Sequence, residues 1–234
     1  MSPQKNTPNA DKEIVRITVA AHVRRIRPSL TVEQFHRLLR HPLIAREPCR
    51  TMVLLAACTG LRRGELFALK WRDVDWEKGA ICVREIVRSM FDSVPLSPRV
   101  ADALFEWKQR SPFNRPDDLV FASPFSGGKF HYSPFGIQKD LKRAGVDIGF
   151  GIVSGEAVDN LVWHSFRSSY RTWLDITGAS ISVQQILMRI AGALCVPLTP
   201  SEVLESDKRE ANSKVVDLVM PTEESDGQKQ KEMP

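Results

Sequence analysis

The run Met52–Cys58, MVLLAAC, carries no charged or strongly polar residue on any side. Read as a helix, it is a buried one, and the rest of the fold has to be laid around it. Thr59-Gly60 supplies the stop, because glycine takes the backbone angles that end a helix without steric penalty. Gly64-Glu65 restarts a helix, which leaves Arg62 in the turn between the two. A guanidinium there keeps its charge and offers donors in a fixed fork suited to phosphate oxygens. The competing reading is a helix-end arginine paired with Glu65, and the octet alone leaves both open.

A second anchor stands about a hundred residues on, at Trp163-His164-Ser165-Phe166-Arg167. His164 and Arg167 are three apart and share a face if the segment is helical, so one face would present a proton donor and a second guanidinium. TGLRRGEL, then DVDW, HSFRSSYRTWL and QQILMR, together resemble the catalytic domain of a tyrosine recombinase of the phage integrase family. The resemblance runs from about Leu30 to Arg189 and resumes weakly from Glu205 to Met220. It implies a mainly α fold with a small antiparallel sheet (α+β). It also implies that Arg62, His164 and Arg167 hold the scissile phosphate and stabilise its transition state. In the family a later tyrosine attacks phosphorus to give a phosphotyrosyl link, and no metal or nucleotide cofactor is used. The implied partner is double-stranded DNA, on which a homo-oligomer assembles.

The chain departs from the family pattern at three places. The hairpin that should carry a general-acid lysine reads IVRSMFDSVPL over residues 86–96 and contains none. Lys78, in the preceding turn, is a poor substitute, and Arg88 cannot give up its proton at ordinary pH. Ile190 stands where a second histidine is expected, and no tyrosine follows Tyr170. The chain has two tyrosines, Tyr132 and Tyr170, and the family commonly has a tyrosine at the second place as packing. Pro197 and Pro200 oppose a helix after the break, since proline removes a donor and clashes inside a helix. The expectation is a recombinase-type DNA-binding protein that does not cleave. The alternative is a non-enzymatic DNA-binding or regulatory module occupying recombination sites. A third reading has Arg62 and Arg167 serving ion pairs alone.

Composition sets outer limits. With 234 residues, 42% of them hydrophobic, one domain with a real core is expected. Thirty-three basic residues against 28 acidic ones give a net charge of +5, which favours a polyanionic partner. Cys49, Cys58, Cys82 and Cys195 lie far apart without zinc-ligand spacing and read as reduced thiols. The sequence has no apolar run of membrane-span length and no signal-peptide pattern at its N-terminus, so a cytoplasmic protein without a membrane partner is expected.

Along the chain, residues 1–29 read as a disordered segment and basic linker remnant, with no room for the arm domain that precedes the catalytic domain in the family. Residues 30–220 read as the catalytic-like domain, disrupted at about 190–204, and 221–234 as a disordered tail. DNA-contact candidates outside the motifs are Arg24, Arg25 and Arg27 in the linker and Lys129 beside Gly127-Gly128. Thr31 with Gln34 makes a capping box, and Val32, Phe35, Leu38 and Leu39 an apolar stripe. Alternation about Lys78-Gly79 predicts the sheet, Ser97-Pro98 and Ser133-Pro134 open helices, Leu119–Ala122 fits a short strand, and 145–155 reads as loop. Ala211, Val215, Leu218 and Val219 return at helical spacing.

Overall fold

A computed structural model describes residues 28–84, 91–129, 134–153, 156–157, 159–190 and 204–220. The first helix, α1 (Val32–Arg40), begins where its capping box does. Thr31 Oγ1 accepts from the Gln34 N–H and Gln34 Oε1 accepts from the Thr31 N–H, both at 3.1 Å. Its stripe buries Phe35 and Leu38 completely, and the Phe35 ring meets Trp173 edge-on at 5.4 Å. Burying a side chain of this size stabilises by roughly 1.5 to 3 kcal/mol.

The apolar run forms α2 (Cys49–Thr59), in which every residue from Thr51 to Thr59 is buried. Enclosure on all sides is supplied by α1, by α4 (Pro98–Arg110), by α6 (Trp163–Ile176) and by α8 (Glu205–Val219). Gly60 ends α2 at φ +62°, and α3 (Arg63–Ala68) follows after two residues. Trp71–Asp73 make one 3-10 turn, and the indole N–H of Trp71 donates to the Phe113 carbonyl at 2.8 Å.

Strands β1 (Val74–Asp75), β2 (Ala80–Arg84) and β3 (Phe91–Pro95) form one antiparallel sheet in that order, with Ile81 opposite both Val74 and Val94. Ile81, Val83 and Val94 face the core while Cys82 is exposed, the period-two pattern of a sheet with one wet face. The Lys78-Gly79 turn has its glycine at φ +56°. The strand expected over Leu119–Ala122 is broken into isolated bridge positions at Leu119 and Ala122, with Leu119 opposite Lys70 and the Val120 N–H bonded to the Leu69 carbonyl.

Helix α5 (Pro134–Asp147) extends two residues past Gly145, and the passage expected to be loop contains a hairpin of β4 (Ile152–Val153) and β5 (Glu156–Ala157). Paired glycines hid it, since Gly149 and Gly151 sit at φ +76° and +68° as turn formers beside the strands. Helix α7 (Ile181–Leu187) starts from Ser180, whose hydroxyl accepts from the Val183 N–H. The returning periodicity near the end forms α8, which packs against α1, α2, α6 and α7.

Several expectations lie outside the described residues: the linker with Arg24, Arg25 and Arg27, the hairpin around Arg88, Tyr132, the stretch 191–203 with its prolines and Cys195, and the tail from Pro221.

Candidate functional site

The turn between α2 and α3 sets the geometry. A Cβ at Gly60 would stand 2.5 Å from Tyr170 Cδ1, so the ring of α6 closes against bare backbone there. Arg62 follows in extended conformation at the N-cap of α3. Its backbone N–H donates to Glu65 Oε2 and its Nη1 to Glu65 Oε1, both at 2.7 Å. Its Nη2 donates to the Arg189 carbonyl at 2.6 Å. The ion pair with Glu65 that the octet left open is thus present, and the Arg62 side chain stays 43% exposed.

The first turn of α6 brings the second anchor. Trp163 and Phe166 point into the core, with Trp163 edge-on to Phe67 at 5.3 Å, and this fixes the opposite register of His164, which is exposed. Arg167 is buried, at 7% exposure. Its Nη1 donates to the Gly60 carbonyl at 2.5 Å and its Nη2 to the Met188 carbonyl. Two of the five N–H groups of each guanidinium are therefore spent on, or shared with, the protein itself.

Arg62, His164 and Arg167 line one cleft of about 630 Å³, with Arg63 from α3 and Gln138 and Lys142 from α5 on its polar wall and Leu61, Val162 and Trp163 on its apolar side. Burial, then repulsion from Arg189 and Arg62, lowers the proton affinity of Arg167 to a pKa of about 10. Burial alone would raise Glu65, but the charge of Arg189 and the hydrogen bonds from Arg62 and Arg189 outweigh it, and the carboxyl titrates below its ordinary value. Crowded cations in a partly desolvated cleft hydrogen-bond strongly to anionic oxygens.

Tyr170 is fully buried. Burial pushes its phenol well above the ordinary range, and its oxygen accepts from Asn212 Nδ2 at 3.0 Å. Lys129 is exposed and lies outside the cleft lining, and Lys78 is exposed beside Asp75 at 3.5 Å. Among the described residues no three His, Cys, Asp or Glu side chains gather as a metal site would require. Sequence reasoning missed Arg63 and Gln138 as parts of this cleft and Arg189 as the partner of Glu65. Arg189 ends the QQILMR motif, yet its side chain pairs with Glu65 at 2.6 Å across 124 residues, which no local pattern announces.

Residues 28–189, well over half of the chain, match the model of the phage integrase family. The chain is 30% identical over 104 residues to the protein y4rF of Sinorhizobium fredii (strain NBRC 101917 / NGR234), whose name places it among integrases and recombinases. That stretch covers 43% of this chain and 24% of the relative, so the chain spans about a quarter of that protein. Among solved structures, the integrase from mycobacterium phage Brujita superposes with a TM-score of 0.60 at 24% identity, covering 81% of this chain and 57% of that one. XerA recombinase gives 0.55 at 16% identity over 88% of this chain and 65% of its own. XerH site-specific recombinase, solved bound to its difH substrate, gives 0.56 at 16% over 89% and 55%. With the motif residues gathered on one cleft and the architecture shared with these structures, the chain belongs to the phage integrase family and has the tyrosine recombinase catalytic-domain fold.

Proposed function

We propose that the chain binds duplex DNA through this cleft as a recombinase-type protein and does not cut it. The observation that carries the reading is the meeting of Arg62, Arg167 and His164 on one cleft, while the tyrosine nearest to them in sequence is sealed in the core. In this reading the two guanidiniums and the imidazole receive non-bridging oxygens of a backbone phosphate, as preorganised donors do at a developing oxyanion. Arg63 and Lys142 extend the positive wall. The sequence offers no lysine at the hairpin, no second histidine and no tyrosine after Tyr170. A general acid alone contributes roughly 10² to 10⁴ in rate, and without a nucleophile the covalent intermediate has no source. Relatives named as integrases and a recombinase solved on its DNA substrate support DNA as the partner.

Two measurements test this. Affinity for a duplex should be weak, about micromolar, and should fall steeply with salt through counterion release. Arg62→Ala should cost about 1 to 3 kcal/mol of it. A nicked suicide substrate should give no protein–DNA adduct, and an adduct mapped to either tyrosine would refute the inactive reading.

One observation favours a second reading, in which the arginines only brace the fold: both Arg62 and Arg167 already donate to protein acceptors. If Arg62→Ala lowers stability and leaves duplex affinity and its salt slope untouched, that reading replaces the first.

A further inference from the structure

Two guanidiniums, those of Arg62 and Arg189, share the single carboxylate of Glu65. The carboxylate is shared unequally. Oε1 takes Arg62 Nη1 at 2.7 Å, while Oε2 takes Arg189 Nη2 at 2.6 Å together with the Arg62 backbone N–H. Arg189 has a side chain only 5% exposed, whereas that of Arg62 is 43% exposed and lines the cleft. The buried cation thus faces the carboxylate from inside, and the exposed one faces solvent.

Arg189 is held in this place against two local penalties. Among the described residues it is the one non-glycine at positive φ, at +46°, and its Nε is buried without a hydrogen-bond partner. Such conformations persist where surrounding interactions over-determine them. Here those are the Glu65 pair, Nη1 donating to the Leu187 carbonyl at 3.1 Å, and the Arg189 carbonyl accepting from Arg62 at 2.6 Å.

We propose that Arg189 is a positioning residue of the cleft: by neutralising Glu65 from the buried side, it leaves the charge of Arg62 available to an anionic oxygen, here a phosphate of DNA. The proposal rests on the DNA-binding reading above. Without Arg189, Glu65 would keep its charge through Arg62 alone, and the exposed pair would sum to zero at the mouth of the cleft. Breaking a buried pair on one side leaves the other charge uncompensated, whereas removing both charges does not.

Arg189→Gly isolates the side chain, because glycine adopts φ near +46° readily and the carbonyls of residues 188 and 189 can stay in register for Arg167 and Arg62. Duplex affinity of Arg189→Gly should fall about tenfold, and the double variant Glu65→Gln/Arg189→Gly should recover to within about threefold of wild type. A brace with no electrostatic role predicts no recovery in the double variant, with losses that follow thermal stability. That outcome, or unchanged affinity in Arg189→Gly, overturns the proposal. If the glycine variant does not fold, Arg189→Lys and Arg189→Met take its place: the charge-retaining variant should bind more tightly, and equal binding overturns the proposal. A wild type that does not bind duplex sinks the DNA reading but not this one. Inorganic phosphate, followed through the His164 ring resonances, then ranks the same variants in the same order. A wild type that takes neither ligand overturns both.

Discussion

Asn212 on α8 donates from one Nδ2 to two acceptors, the Tyr170 hydroxyl at 3.0 Å and the Cys58 carbonyl at 2.7 Å. The two bonds join the last described helix to α2 and α6, and they hold the phenol oxygen inside the core. Tyr170→Phe should therefore cost about 1 to 2 kcal/mol. For a domain of this size that is a fall in Tm of roughly 2 to 8 °C. Duplex affinity of the folded protein should not change. A large loss of affinity at unchanged Tm would show the hydroxyl reaching the ligand.

Gly60→Ala should be worse. The new Cβ would lie 2.5 Å from Tyr170 Cδ1, and φ at +62° disfavours any side chain. Overpacking and a left-handed non-glycine together should destabilise by about 2 to 4 kcal/mol in urea unfolding. Because the Gly60 carbonyl accepts from Arg167, weaker phosphate binding should accompany the loss.

Acid should loosen the cleft through Glu65. Its folded carboxyl titrates below the unfolded value, because the charge of Arg189 and the bonds from both arginines outweigh the opposing effect of burial. The stability it contributes is present above the ordinary glutamate value of about 4.3 and is lost as pH falls through the lower folded value. Glu65→Gln should flatten the stability profile in that acid range, and a variant profile parallel to wild type would contradict this.

Alkylation at mildly alkaline pH should rank the described thiols. Burial pushes Cys58 up to a pKa of about 12, and burial with the charges of Asp140 and Glu47 pushes Cys49 to about 11. Cys82 lies exposed on β2. Since the thiolate is the reactive form, peptide mapping after brief iodoacetamide treatment should find Cys82 modified well before Cys58.

What was legible in the sequence was local or periodic. The Thr31–Gln34 box spans three residues, the stop at Gly60 is a property of one, and the apolar run of α2 declares its own enclosure. The 3.6-residue spacing put His164 and Arg167 one turn apart, and their cleft could be anticipated from the family resemblance. What stayed hidden depends on partners far apart in sequence. Arg189 meets Glu65 across 124 residues and Asn212 meets Tyr170 across 42, and neither side chain differs in kind from a surface one. The β4–β5 hairpin was lost for another reason, because two-residue strands set among glycines carry too few alternations to register as a period.

The position of α8 bears on the order in which the molecule can be made. His36 Nε2 on α1 donates to the Val219 carbonyl at 2.8 Å, closing a loop of 183 residues, and Val215 and Val216 complete the casing of α2. A growing chain reaches these contacts only after α1 to α7 have been made. Until then the apolar run at 52–58 has one open side, and long-range closures of this kind are slow. Nascent chains stalled before Glu205 should therefore be held by chaperones.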